Sequence, residues 1–392
     1  MGSVPYALGR QLQFFCKKET VMGGNFGLAA QEYFVADDAA KVTASDMNFA
    51  VERLDRMDSS TTRSTVERVT GKQEVTWSCE SYILPAGGST APDIDPLLEG
   101  AFGGGFGATT AKTYQLTDGT DEIPSIHLAR GAAGVFREDV FGAWVEEFSL
   151  SVSGGDIPKM SFSGGAMNYA LTGTSKADGT GSSSTALTVD SGDGVNFMIG
   201  SPLNVNSTDR VVTSGNTDAL TLGVAADWSD EDVIVPVFPA TGTSNFNGPP
   251  TAATAGSITI DGTTYPVMSF DVTLANGIKA LGDQAFVAGA NDYIPMVRSV
   301  TGNVTIRLRK DHLKAFSRRN KFVSGLKTYP ATPIVVTLGD ATGYKQVISI
   351  PYAELDFGNV TIPEVEEAVL NLPFKGLGSS GKDELTFAWN QA

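Results

Sequence analysis

Along most of this chain, apolar and polar residues alternate with a period of two. In Val75-Thr76-Trp77-Ser78-Cys79-Glu80 the side chains of Val75, Trp77 and Cys79 share one face, and those of Thr76, Ser78 and Glu80 share the other. That pattern predicts a strand with one buried and one wet face, in an antiparallel sheet. From Glu146 to Ser153 it repeats, with Phe148, Leu150 and Val152 inward and Glu147, Ser149, Ser151 and Ser153 outward. Gly154-Gly155-Asp156 then turns the chain, and Met160 and Phe162 alternate with Lys159, Ser161 and Ser163 on the return. Residues 146–166 thus read as a β-hairpin. A third run sets Val300, Gly302, Val304, Ile306 and Leu308 against Asn303, Thr305, Arg307 and Arg309. Further strands are predicted over 334–338, 345–350, 366–374 and 384–389, the last two joined by the loop 376–381.

Two segments read as helix. In Asp95-Pro96-Leu97-Leu98-Glu99-Gly100-Ala101-Phe102-Gly103, Asp95 suits the N-cap, Pro96 the first helical position and Gly103 the C-terminal stop. The second is expected from Asp311 through Leu313, Ala315 and Phe316 to Asn320, packed across the sheet.

Between 174 and 253 the composition shifts to Gly, Ser, Thr, Asn and Asp, with short β-like runs such as Leu187 to Val189, Val211 to Thr213 and Val233 to Val237. Both borders are loop-like. The expectation is a small β domain inserted into a larger one, dividing the chain into 1–173, 174–253 and 254–392. A single long disordered loop is the alternative, disfavoured because aliphatic residues recur regularly. The fold class is mainly β: an antiparallel sandwich or barrel with one packed helix and a small inserted β domain.

Composition agrees with this reading. Glycine accounts for 44 of 392 residues, well above the usual share of about 7 %, as a turn-rich β chain requires. Asp and Glu number 44 against 28 Lys and Arg, a formal net charge of −16. Such acidity disfavours a general nucleic-acid coat or a binder of anionic lipid. Cys16 and Cys79 form no CxxC, so neither a disulfide scaffold nor a structural zinc site is expected. The first nineteen residues lack a signal-peptide pattern, and no apolar run approaches the ~18 residues of a membrane span. The chain is expected to be soluble, made in the cytosol and without membrane binding.

Catalytic patterns are sparse. With two histidines, His127 and His312, no imidazole-rich metal site can be assembled, and no GxSxG, HExxH or P-loop occurs. His127 alternates with apolar neighbours and is read as structural. The run Gly103-Gly104-Gly105-Phe106-Gly107 follows a helix instead of opening one, which suits a helix terminus or hinge better than a phosphate cradle. Glu366 and Glu367, as neighbours on a strand, would point to opposite faces and cannot flank one glycosidic bond. No cofactor, metal or catalytic residue is assigned.

Charge is unevenly placed. Arg307, Arg309, Lys310, Lys314, Arg318, Arg319, Lys321 and Lys327 share their segment with one acid, Asp311. The alternatives are a solvated face and a basic surface docking on acidic residues of another subunit, for which Asp230, Glu231, Asp232, Glu364, Glu366 and Glu367 are candidates.

Several motifs, in order, resemble the major tail tube proteins of long-tailed bacteriophages. They are Tyr6-Ala7-Leu8-Gly9-Arg10 followed by Lys18-Glu19-Thr20 and Gly23-Gly24; Val69-Thr70-Gly71-Lys72 with the strand Val75 to Leu84; Asp95-Pro96-Leu97-Leu98 up to Phe102-Gly103; the hairpin Phe148 to Gly165; and the closing Ile362-Pro363, Leu372-Pro373-Phe374 and Asp383-Glu384-Leu385-Thr386. The resemblance covers 1–170 and 260–392. It implies a β-sandwich subunit, six copies of which close a ring around a continuous inner barrel. Stacked rings would form the virion's tail tube, assembled in the host cytoplasm, with tape measure and tail-end proteins as partners and DNA as transient cargo. Glu147, Ser149, Ser151 and Ser153 would face an acidic lumen, the segment from Arg307 to Lys321 a neighbouring subunit or ring, and residues 174–253 the outside. The runner-up is a glycan-binding or adhesive β-sandwich of a virion surface, using Trp228 in the insert; the competing reading places Trp228 in that insert's core.

Overall fold

The protein is described from a computed structural model, over residues 12–19, 22, 42–57, 65–85, 91–104, 113–117, 123–132, 134–197, 200–238, 256–282, 289–309, 332–339, 344–356, 360–361, 367–379 and 381–391. In the first part the strands are β1 (Leu12–Lys18), β2 (Val42–Met57), β3 (Thr65–Tyr82), β4 (Thr113–Gln115), β5 (Ile126–Ala132), β6 (Phe136–Ala143), β7 (Glu147–Ser153), β8 (Lys159–Ala166) and β9 (Asn168–Thr172), with helix α1 (Asp95–Phe102) between β3 and β4. There follow β10 (Ser175–Lys176), β11 (Gly181–Thr188), β12 (Pro202–Val205), β13 (Thr208–Asn216), β14 (Ala219–Trp228) and β15 (Val233–Pro236). The last part holds β16 (Gly256–Ile260), β17 (Thr263–Thr264), β18 (Val267–Ala275), β19 (Ile278–Leu281), β20 (Asp292–Pro295), β21 (Ser299–Arg307), β22 (Thr332–Leu338), β23 (Lys345–Leu355), β24 (Val360–Thr361), β25 (Val369–Gly376) and β26 (Thr386–Gln391).

The protein is mainly β, as the period-two pattern predicts. The largest sheet runs in the order β17-β16-β22-β23-β25-β21-β18-β7-β8-β3-β2. Its buried face carries Trp77, Cys79, Phe162, Phe148, Leu150, Phe270, Val272, Val304, Leu372 and Phe374, which share one core with Phe14 and Cys16 of β1, Leu128 of β5, Val140 of β6 and Leu97, Leu98 and Phe102 of α1. The sheet β1-β5-β6-β9 and helix α1 therefore form a second layer over that face. Cys16 and Cys79 are free and buried, and burial pushes the Cys79 thiol up to about 12.

Glycines allow the layers to approach. A Cβ at Gly164 would stand 1.9 Å from the Trp144 carbonyl oxygen, and one at Gly165 would meet the Trp144 ring at 2.4 Å. The Trp144 backbone can cross β8 closely only because both side chains are missing, and it bonds there through its amide to the Gly165 carbonyl at 3.0 Å.

Helix α1 ends as expected, with Gly103 left-handed at φ 79° and its amide on the Glu99 carbonyl. Its start differs. Ile94 is the N-cap and makes no side-chain cap, while Asp95 is already helical. The Asp95 carboxylate does not cap because it accepts a 2.5 Å hydrogen bond from the Tyr114 hydroxyl. The strand expected over 366–374 begins at Val369, so Glu367 precedes it. Glu366, like the helix expected over 311–320, lies outside the described residues.

Residues 175–236 form a separate six-stranded sheet, β10-β15-β12-β13-β14-β11. A bridge between Ala177 and Val189 links its two ends and closes it on itself. Leu187, Leu203, Val205, Val212, Leu220, Leu222, Trp228 and Ile234 make its own core.

Candidate assembly surfaces

The face of the large sheet opposite the core is rich in Ser, Thr and Asn, with charged side chains of both signs between them. Cross-strand registers place Glu80, Ser161, Ser149, Thr273, Thr301 and Lys375 in one row, and Lys159, Ser151, Asp271 and Asn303 in the next. Glu147, Ser151 and Ser153 are exposed on this face and Ser149 is half-buried, so the four outward residues of β7 do stand together. They lie among hydroxyls and isolated charges of both signs. The carboxylates of Asp46, Glu80, Glu147 and Asp271 are interspersed with the ammonium groups of Lys159 and Lys375. Lys159 Nζ bonds Glu80 Oε1 at 2.8 Å, and that hydrogen bond, with one from Thr43, holds the Glu80 carboxyl below its usual range. Thr305 Oγ1 donates to Asn371 Oδ1 at 2.9 Å.

The negative charge is concentrated elsewhere. Residues 174–253 contain nine acidic and two basic residues. Several of these carboxylates serve local turns: Asp230 accepts from the Gly179 amide at 2.9 Å, Asp232 from Ser229 at 2.7 Å, and Glu231 bonds Lys176. Trp228 is buried in the core of this unit and presents no ring for a sugar.

Of the basic segment, Arg307 and Arg309 are described and both are exposed. Arg307 ends β21 and pairs with Glu367 at 2.7 Å. Lys310, Lys314, Arg318, Arg319, Lys321 and Lys327 lie outside the described residues.

β2 and β3 pair from Val42 with Ser81 out to Met57 with Thr65. β3 pairs with β8 only from Val75 to Tyr82. The far half of this hairpin therefore extends past the sheet as a two-stranded ribbon whose outer edges have no strand partner among the described residues.

Two polar networks in the second layer escaped the sequence reading. His127 Nε2 lies 2.8 Å from Asp139 Oδ1, and Arg137 Nε reaches Asp139 Oδ2 at 2.8 Å, all three side chains being buried. Burial pulls the Asp139 carboxyl upward, but Arg137 and His127 outweigh it and hold it below the usual range. Burial lowers His127 despite Asp139. Arg137 Nη1 also donates to the Val237 carbonyl, and its guanidinium lies 5.8 Å from the Phe238 ring. His127 is thus structural, and the network holds the segment leaving the six-stranded unit against β6. Arg137-Glu138-Asp139 was its one sequence signal: two opposite charges on the inward face of a strand.

The second network joins Arg130, Glu138 and Tyr169. Arg130 Nε bonds Glu138 Oε2 and its Nη1 donates to the Ser45 carbonyl, while Tyr169 donates to Glu138 Oε1 at 2.8 Å. No cluster of three or more metal-ligating side chains occurs among the described residues, and none of their helices is long and apolar enough to cross a membrane.

Two comparisons complete the description. A family model described as "Phage tail tube protein" matches residues 9–390. A search of curated proteins returns no match.

Proposed function

Because the chain belongs to the phage tail tube protein family, we propose that its copies close into hexameric rings, that the rings stack, and that the resulting tube is the conduit for the genome. Family membership itself makes the chain a structural protein of the virion tail that self-assembles into a tube. The observation that carries the finer reading is the hydroxyl-rich face running from β3 through β8, β7, β18 and β21 to β25. Its neutral hydrogen-bonding groups, with scattered carboxylates and the separate cations Lys159, paired with Glu80, and Lys375, offer a polyanion no cluster of cations to hold it, which suits a surface past which DNA moves. Closing the sheet around a ring would also cover the strand edges that a lone subunit leaves open.

The face assignment carries the rest. The six-stranded unit of 175–236 attaches through β9 and Val237 to the layer on the far side of the core. With the polar face toward the lumen, that unit decorates the outside of the tube, and its acidity stays away from the cargo. We assign the basic segment from Arg307 to Lys321 to contact with a neighbouring subunit, and tape measure and tail-end proteins to the tube's ends, with assembly in the host cytoplasm. Electron microscopy of purified protein tests the reading: stacked six-membered rings support it, and a monomer at every concentration contradicts it.

A further inference from the structure

β2 has a strand neighbour on one side only among the described residues. The direction of its backbone groups follows from bonds two strands away. The amides of Glu146 and Trp144 bond the carbonyls of Ser163 and Gly165, so odd-numbered residues of β8 point toward β7 and even-numbered ones toward β3. Gly164 and Phe162 pair with Trp77 and Cys79, which therefore face β8. Thr76, Ser78 and Glu80 then face β2, opposite Asn48, Asp46 and Ala44. That leaves Ser45, Met47, Phe49 and Val51 with their N–H and C=O groups directed to the open edge. Such an edge is a template for another strand.

One of these groups is occupied. Arg130 Nη1 donates to the Ser45 carbonyl, and Nη2 lies 3.6 Å from Asp46 Oδ1. The guanidinium is held from behind by Glu138, directly opposite on β6, and only 18 % of the Arg130 side chain is exposed. Tyr169, which bonds the other Glu138 oxygen, stacks on Phe49 with ring centres 5.7 Å apart and planes within 8°. The second layer thus braces β2 at two points along its free edge and blocks one hydrogen-bonding position.

We propose that Arg130 guards this edge: it closes β2 at Ser45, so that a strand from a second copy of the chain adds only from Met47 onward and in a single register. The occupant is a second copy because the family assembles by self-association, and because the edge continues the sheet that bears the polar face. Register matters there, since a slip of one residue would exchange the polar and apolar faces across the joint. The inference rests on the ring reading above.

The test combines hydrogen exchange with assembly of the full chain and its Arg130→Ala variant. In wild-type tubes the amides of Met47, Phe49 and Val51 should exchange more slowly than in monomer, with Asn48 protected in both. Arg130→Ala should keep the monomer's far-UV circular dichroism, associate at about tenfold lower concentration and yield assemblies of mixed diameter. If the alanine variant loses its fold, Arg130→Lys carries the same expectation, because it keeps a cation beside Glu138 but lacks the fork that spans to Ser45. Tubes in which those three amides exchange as in monomer would overturn the edge assignment and leave the tube reading intact. An Arg130 variant with wild-type assembly concentration and diameter would overturn the guard. Should wild type form no tubes, the ring reading fails separately; the guard then stands if the variant alone self-associates and falls if it does not.

Discussion

The Tyr114 hydroxyl donates a 2.5 Å hydrogen bond to Asp95 Oδ1, tying the first turn of α1 to a strand that pairs with the C-terminal β26. Burial pushes the Asp95 carboxyl up to about 6, against the pull of Tyr114 and with a smaller push from Glu99. The folded state therefore holds this proton more tightly than the unfolded chain, and Asp95 lowers stability progressively as pH rises from about 4 to about 6. Asp95→Asn keeps the acceptor for Tyr114 and removes the charge. It should be more stable than wild type by about 1–3 kcal/mol at pH 8, with the difference vanishing near pH 4, as read by urea unfolding at both values.

The Arg137, Asp139 and His127 network has the opposite sign. Asp139 and His127 both have lowered values in the fold, so their contribution is full above pH 6.5 and declines as pH falls, first through His127 and then through Asp139. Asp139→Asn leaves a buried guanidinium without its counter-charge and should cost about 3–5 kcal/mol at pH 7. Urea unfolding measures the loss, and faster proteolysis just after Val237 should accompany it, because Arg137 no longer holds that carbonyl.

Gly164→Ala should destabilise the subunit by about 3 kcal/mol. The obstructing atom is the Trp144 backbone oxygen, which cannot rotate aside as a side chain could. A thermal melt of the purified monomer checks this.

These predictions divide according to what is legible in local sequence. Val75, Trp77 and Cys79, and likewise Phe148, Leu150 and Val152, declare their faces because burial on one side of a strand imposes period two within a few residues. The turn at Gly154-Gly155 and the stop at Gly103 are readable for the same reason: the chemistry is local. Asp95 was misread as a cap because its partner, Tyr114, lies 19 positions away. Arg130 meets Ser45 across 85 positions and Arg137 meets Val237 across 100. No periodicity encodes such meetings; they arise only once two layers pack. The serines of β7 and the acid of 174–253 are legible along the chain, but the continuous polar face that joins Ser161, Ser149, Thr273 and Thr301 forms only when strands distant in sequence lie side by side.

Surface accessibility separates lumen from exterior. Cys16 and Cys79 are buried and leave the background low. In assembled tubes, Ser207→Cys, exposed in the six-stranded unit, should react with a polymer-linked maleimide, whereas Ser151→Cys should react with a small maleimide alone. A gel-shift assay on intact tubes distinguishes the two.

The basic segment offers a test of its own. Arg318→Glu combined with Arg319→Glu should impair tube formation while leaving the monomer's circular dichroism unchanged. Normal tubes from that double variant, counted by negative stain, would return the segment to a solvated surface.

The most direct measurement of the central claim is an electron cryo-microscopy reconstruction of tubes assembled from this chain. The account predicts six subunits in each ring, Ser149, Ser151 and Thr273 lining the channel, and the 175–236 unit projecting outward. A reconstruction with the same face turned to the exterior, or with the six-stranded unit inside the channel, would contradict it.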